Sequence, residues 1–315
     1  MKTIANRKWM VTDKALAARI RSWLVGQGGE EEAAGSAHEL WRVRHGGAKW
    51  TFYTTGTLYV TGSDDPALLK AQRQVDRIAG GRFARPSRDF LIGLDETGKG
   101  ELFGPVVLAA VVLPRPLFQQ LEEIIGVADT KVSHVPRYWE ELFARIDSYR
   151  SQGLDWAATR VLPEELERVS VNRLLDGGYR KLLGGVMENL DFRAVRVVLD
   201  DYGAGSGLQS YLRELASAGA EIVRVTGADD RYLECRLASL VAKREQQQAL
   251  ETIRRDERFR IEGQALGSGN AGDPKTIAWL RAWHASGRPW PAFVKRSFRT
   301  VQEIEAQPAK RSGAE

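Results

Sequence analysis

The apolar positions fall into two rhythms along the chain. In the first stretch Leu16, Ile20 and Leu24 recur at helical spacing among charges, which predicts an amphipathic helix over 11–26 with Thr12-Asp13 as its cap. The acidic segment 26–35 reads as a flexible loop. His38 to Val43, Ala48 to Thr54 and Thr57 to Thr61 then alternate polar with apolar or aromatic residues, broken at Gly46-Gly47 and Gly56. That alternation predicts a small antiparallel meander. Asp65 caps a second predicted helix, 66–79, and 80–88 is a basic linker.

The second rhythm begins with FLIGLDETGKGELFGPVVLAAVVL at 90–113. It reads as strand, acidic turn, strand. Neighbouring side chains on a strand point to opposite faces, so Asp95 and Glu96 converge only if the strand ends there; Thr97-Gly98 is expected to supply that ending. Helix-like patterns follow at 116–125, 136–152, 171–189, 207–218 and 229–259, and strand-like ones at 157–162, 194–199 and 221–225. Alternating strands and helices predict an α/β domain with helices on both faces of its sheet.

Three acidic points stand at or just past strand ends. Besides Asp95-Glu96, the strand 194–199 delivers the chain to Asp200-Asp201, and 221–225 leads through Gly227-Ala228 to Asp229-Asp230. Ligands of α/β sheets sit at such ends. Singly, each acid has a plain structural reading: a solvated hairpin tip for Asp95-Glu96, a helix cap for Asp229. Together Asp95, Glu96, Asp200 and Asp229 suit a hard divalent cation, because clustered carboxylates are costly without one.

Composition narrows the setting. The 315 residues suffice for about two domains. A single cysteine, Cys235, excludes an internal disulfide framework and any cysteine-rich zinc site, and fits a reducing, cytoplasmic compartment. No run approaches the roughly 20 apolar residues of a membrane span, so no membrane partner is expected. Residues 1–88 carry 15 Lys+Arg against 8 Asp+Glu, whereas the whole chain is at +5. A basic module is thus joined to a slightly acidic one, the footprint of a polyanion partner or simply a solvated basic surface. Trp50, Phe52, Tyr53 and Tyr59 among its cations could bind nucleic acid through an open sheet face, or be half of a buried one.

Six ordered motifs resemble the type 2 ribonucleases H over most of 90–300: DETGKGELFGP from Asp95, Asp129-Thr130-Lys131, LDDYG at 199–203, ADDRYLECRLASLVAKRE at 228–245, DPKT at 273–276 and FVKRSFRT at 293–300. The basic module resembles that of the ribonuclease HIII branch, which carries a TATA-binding-protein-like domain before the catalytic one. Asp229 departs from that branch, where a glutamate is typical, and resembles ribonuclease HII.

The resemblance implies a ribonuclease H-like α/β catalytic domain at 89–306, a mixed sheet with helices on both faces. A small α+β TATA-binding-protein-like domain at 1–88 precedes it, and a flexible tail, 307–315, follows. It implies a monomer that hydrolyses the RNA strand of RNA/DNA hybrids, or of DNA with embedded ribonucleotides, leaving 5′-phosphate and 3′-hydroxyl ends. Two Mg2+ or Mn2+ ions held by Asp95, Glu96, Asp200 and Asp229 would neutralise the attacking and leaving oxygens. The Gly98-Lys99-Gly100 loop is the candidate reader of the 2′-hydroxyl, with an ordinary tight turn as its plain reading. Lys131, Lys295, Arg296 and Arg299 are candidate phosphate contacts. Two other functions remain open at this point: a catalytically silent hybrid-binding protein, and a metal-dependent nuclease on another phosphodiester.

Overall fold

A computed structural model describes residues 6–11, 13–62, 66–79, 83–125 and 136–307. Asp129-Thr130-Lys131 and the tail from 308 lie outside the described residues. The chain divides into two compact units, Met1–Arg85 and Pro86–Glu315.

In the first unit the order is β1 (Arg7–Met10), α1 (Lys14–Gly26), β2 (Glu30–Glu32), β3 (Glu39–His45), β4 (Ala48–Tyr53), β5 (Thr57–Thr61) and α2 (Pro66–Ile78). The strands form one antiparallel sheet in the order β1-β5-β4-β3-β2. Asp13 caps α1 by accepting from Ala15 N at 2.7 Å. Alternation sends Trp9, Trp41, Val43, Trp50, Phe52, Leu58 and Val60 into a core closed by Ile20, Leu24, Leu68 and Val75 of the helices. Trp9 stacks on Trp50 and Trp41 on Phe52. Trp50 and Phe52 are therefore core residues, not part of a binding face. The expected acidic loop is corrected too: Glu30–Glu32 is an edge strand, held because its acids meet basic residues of β3, with Glu32 2.6 Å from Arg44.

The second unit continues with β6 (Phe90–Thr97), β7 (Val106–Pro114), α3 (Phe118–Ile125), α4 (Pro136–Asp147), β8 (Asp155–Val161), α5 (Pro163–Leu166), α6 (Val171–Val186), β9 (Val195–Asp200), α7 (Ser206–Ser217), β10 (Glu221–Val225), α8 (Leu233–Arg255), α9 (Pro274–Ala285) and α10 (Arg299–Glu305). Its sheet has the order β10-β9-β6-β7-β8. β6, β9 and β10 run parallel; β7 and β8 run antiparallel to their neighbours. This is the mixed α/β sheet that the sequence predicts.

Period-two alternation gives each face its own helices. Ile92, Leu94, Val197 and Leu199 pack with Leu175 and Tyr179 of α6 and Leu208 and Leu212 of α7. The opposite face meets α8. There Gly93 is obligatory, since a Cβ on it would stand 2.0 Å from the carbonyl of Glu234. Among the described residues no helix is long and apolar enough to cross a membrane.

Candidate active site

The carboxyl ends of the parallel strands bring the acids together. Leu94 pairs with Leu199 across β6 and β9, so Asp95 and Asp200 stand one step further on, at adjacent strand ends. Val225 pairs with Asp200, and Gly227 then turns the chain, at φ +68°, into a short 3-10 turn, Ala228–Asp230. Asp200 Oδ1 accepts from Gly227 N at 2.8 Å, tying that turn to the end of β9.

Face alternation separates the adjacent pair. Asp95 shares the α8 face with Leu91 and Gly93, and Ser239 of α8 bonds to its carboxylate. Glu96 shares the other face with Leu94, and Tyr179 of α6 donates to its Oε2. The strand ends at Thr97, at the expected Thr97-Gly98 turn, but both acids are still paired to β7 before it and so keep opposite faces instead of converging. Asp95, Asp200 and Asp229 thus share the α8 face, while Glu96 comes from the other side. Among the described residues no three His, Cys, Asp or Glu side chains form a ready-made ligand set. Lys99 holds Glu96 Oε1 at 2.8 Å, and Arg236 holds Asp229 Oδ2 at 3.2 Å.

The electrostatics still join the acids into one group. Burial pushes the Asp95 carboxyl up to about 7, and the charges of Glu96 and Asp229 push the same way against its bond to Ser239. Burial also raises Asp200, opposed by bonds from the Gly227 and Ala228 amides and aided by the charges of Asp229 and Glu96. Oxygen donors that oppose one another's ionisation fit a hard divalent cation, which would relieve that repulsion. The donor chemistry therefore fits Mg2+ or Mn2+, and Asp95, Asp200 and Asp229, with Glu96 from the other face, are the residues that would hold it.

The segment 98–104 adjoins this group. Gly98 has φ +92°, and a Cβ there would stand 2.6 Å from the Pro105 carbonyl, so only glycine fits. Gly100 is exposed, with open space around its α-carbon. Lys99 lies 5.1 Å from the centre of the Tyr202 ring, whose hydroxyl donates to Asp176 Oδ1 at 2.6 Å. Lys295, expected on a phosphate, is fully buried and donates to the carbonyl of Gly98. That expectation is corrected: Lys295 braces the turn from beneath. Its segment is fixed there because Lys295 N donates to Leu102 O and Gly104 N donates to Phe293 O. Arg296 and Arg299 are surface residues paired with Glu305 and Glu303 at 2.9 and 2.7 Å.

A second correction concerns Asp229. The expected helix over 229–259 is broken, because Tyr232 is extended (φ −125°, ψ 122°) and α8 starts only at Leu233. Asp229 and Asp230 therefore do not diverge as helical neighbours, and both reach Arg236. Asp201 turns away, accepting from Gly203 N and pairing with Arg224 at 3.2 Å. Tyr179, Tyr202, Arg236 and Ser239 are site residues that the sequence alone does not single out. Tyr202 and Ser239 sit inside the acidic motifs, and only their uncharged character hid them.

A family model for ribonuclease HII matches residues 92–301. The chain belongs to the ribonuclease HII family, and it is an endoribonuclease H. It is 29% identical over 214 residues to ribonuclease HII of Sulfurisphaera tokodaii, covering 68% of this chain and 95% of that one. Ribonuclease HII of Thermococcus onnurineus is 28% identical over 223 residues, 70% of this chain and 92% of its own. Both matches leave room for the first unit. The structure of Bst-RNase HIII in complex with Mn2+ aligns over 98% of this chain and all of that one, with a TM-score of 0.56 and 18% identity. That likeness is one of fold, and its coverage takes in both units of this chain.

Proposed function

We propose that this ribonuclease HII family member hydrolyses the RNA strand of RNA/DNA hybrids with two divalent cations, Mg2+ or Mn2+, leaving 5′-phosphate and 3′-hydroxyl ends. The observation that carries the reading is the placement of Asp95, Asp200 and Asp229 on one face at the carboxyl ends of β6, β9 and the turn after β10. Bound there, the cations would supply charge neutralisation at the attacking and leaving oxygens.

The chain's own groups do the rest. Ser239 and the Gly227 and Ala228 amides hold Asp95 and Asp200 in place. Lys99, the more exposed of the two internal cations, is placed to exchange Glu96 for a substrate phosphate. The backbone at Gly98, braced by Lys295, is the group we assign to the 2′-hydroxyl.

The first unit is assigned to substrate binding. On its sheet face opposite the helices Lys8, Tyr59 and Arg42 lie in one cross-strand row around the buried Thr51, with Arg42 held by Glu39 at 2.7 Å. Cations interleaved with an aromatic ring suit a nucleic-acid backbone and its bases. Incubating the protein with RNA/DNA hybrid, double-stranded RNA and double-stranded DNA, with and without Mg2+, tests the assignment. Cleavage confined to the hybrid and to Mg2+ is expected; hybrid binding without cleavage would favour a silent binding protein.

A further inference from the structure

Arg236 is the least accommodating residue beside the acids. It lies on the first turns of α8, its side chain is 2% exposed, and it forks between Asp229 Oδ2 at 3.2 Å and Asp230 Oδ1 at 3.4 Å. A guanidinium stays charged at every pH the protein meets, so it cannot escape burial by losing a proton. Parting it from its carboxylates would strip two ion pairs from a buried charge, which is strongly unfavourable. Lys99 differs on both counts. Its side chain is 37% exposed on a flexible stem, so solvent can receive it when Glu96 is taken by another cation.

We propose that Arg236 is a fixed positioning residue for Asp229: it engages Oδ2, presents Oδ1 towards Asp95 and Asp200, and by its permanent charge weakens divalent-cation binding in the substrate-free enzyme. The inference rests on the metal-site reading above and adds to it. Asp229 acts electrostatically on both Asp95 and Asp200, so a positive charge held on it is felt across the acidic group. Asp230 has a part as well. It shares the fork, and thereby lowers the portion of the Arg236 charge that falls on Asp229. The second carboxylate of the Asp-Asp pair is then the regulator of the first rather than a fourth ligand.

The test is calorimetric titration of the full-length protein with Mn2+ in the absence of nucleic acid, alongside thermal melts in EDTA. Arg236→Met, which keeps the length and removes the charge, is expected to bind Mn2+ more tightly, on the order of tenfold. Asp230→Asn is expected to move the other way, several-fold weaker, since more of the Arg236 charge then falls on Asp229. Arg236→Lys, which keeps the charge, is expected to stay near the wild type. A purely structural Arg236 would shift the melting temperature and leave Mn2+ affinity within about twofold in every variant, and that result would overturn the inference. If Arg236→Met does not fold, the direction of the Asp230→Asn change decides. Wild-type protein that binds no Mn2+, or binds it equally as Asp95→Asn, would instead bring down the metal-site reading beneath it.

Discussion

Lys99 stands 2.8 Å from Glu96 Oε1, on the carboxylate whose other oxygen accepts from Tyr179. Glu96 is thus engaged through both oxygens on the α6 side of the sheet, and the cation that holds it is the exposed one. If Lys99 passes to a substrate phosphate, Lys99→Met should weaken hybrid binding and reduce the slope of log K against log salt by about one. Filter binding or anisotropy at several salt concentrations measures this. An unchanged slope would leave Lys99 as a local ion pair only.

Asp95 predicts how the metal-free protein responds to pH. Its carboxyl titrates near 7 in the fold against 3.8 ordinarily, because burial and neighbouring charges oppose ionisation. Below pH 4 it is protonated in both states and costs nothing. As pH rises from about 4 to 7 the unfolded state ionises more readily, and stability falls, by an amount on the order of a few kcal/mol. Melts in EDTA should therefore show Asp95→Asn more stable than wild type at pH 8 and similar to it at pH 4. Equal stability at pH 8 would contradict the burial of that charge.

Lys295 predicts a separation of stability from activity. Burial lowers its ammonium to about 8, so the charged form is penalised below that pH and the penalty fades as pH rises towards 10.5. Lys295→Met should fold with similar or greater stability at pH 7, since an apolar chain replaces a buried charge. It should cleave more slowly, because the carbonyl of Gly98 loses its brace. Full activity in Lys295→Met would remove the loop from the mechanism.

The sheet face of the first unit opposite its helices, which carries Lys8 and Lys49, makes a fourth prediction. Lys8→Glu with Lys49→Glu should raise KM for hybrid and flatten its salt dependence, while kcat changes little. Circular dichroism should be unchanged, because neither residue enters the tryptophan core. An unchanged KM would assign that face no part in binding.

Much of this was legible in the chain itself. The apolar runs that lead β6 to Asp95 and fill β7, and the Val197-Val198-Leu199 run of β9, are strong enough that the sheet and its acidic ends could be read from hydrophobicity. The Glu30–Glu32 strand could not, since three glutamates become a strand only against Arg42 and Arg44 across the sheet. Lys295 reads as a surface cation because nothing local says that the carbonyl of Gly98, nearly 200 residues away, will cover it. The break at Tyr232 was hidden by a helix-like apolar pattern running through it. Arg236 was hidden by its own charge, since a sequence rule places arginine outside.

The most direct measurement of the central claim is cleavage of an RNA/DNA hybrid in Mg2+ by single variants of the acids. Asp95→Asn, Asp200→Asn and Asp229→Asn are each expected to lose orders of magnitude in rate while folding normally. Asp230→Asn and Asp201→Asn should lose far less, and Asp229→Glu should keep part of the activity. Near-wild-type turnover in Asp95→Asn or Asp200→Asn would contradict a metal-dependent centre at these strand ends. An essential Asp201 or Asp230 beside a dispensable Asp229 would contradict its assigned geometry.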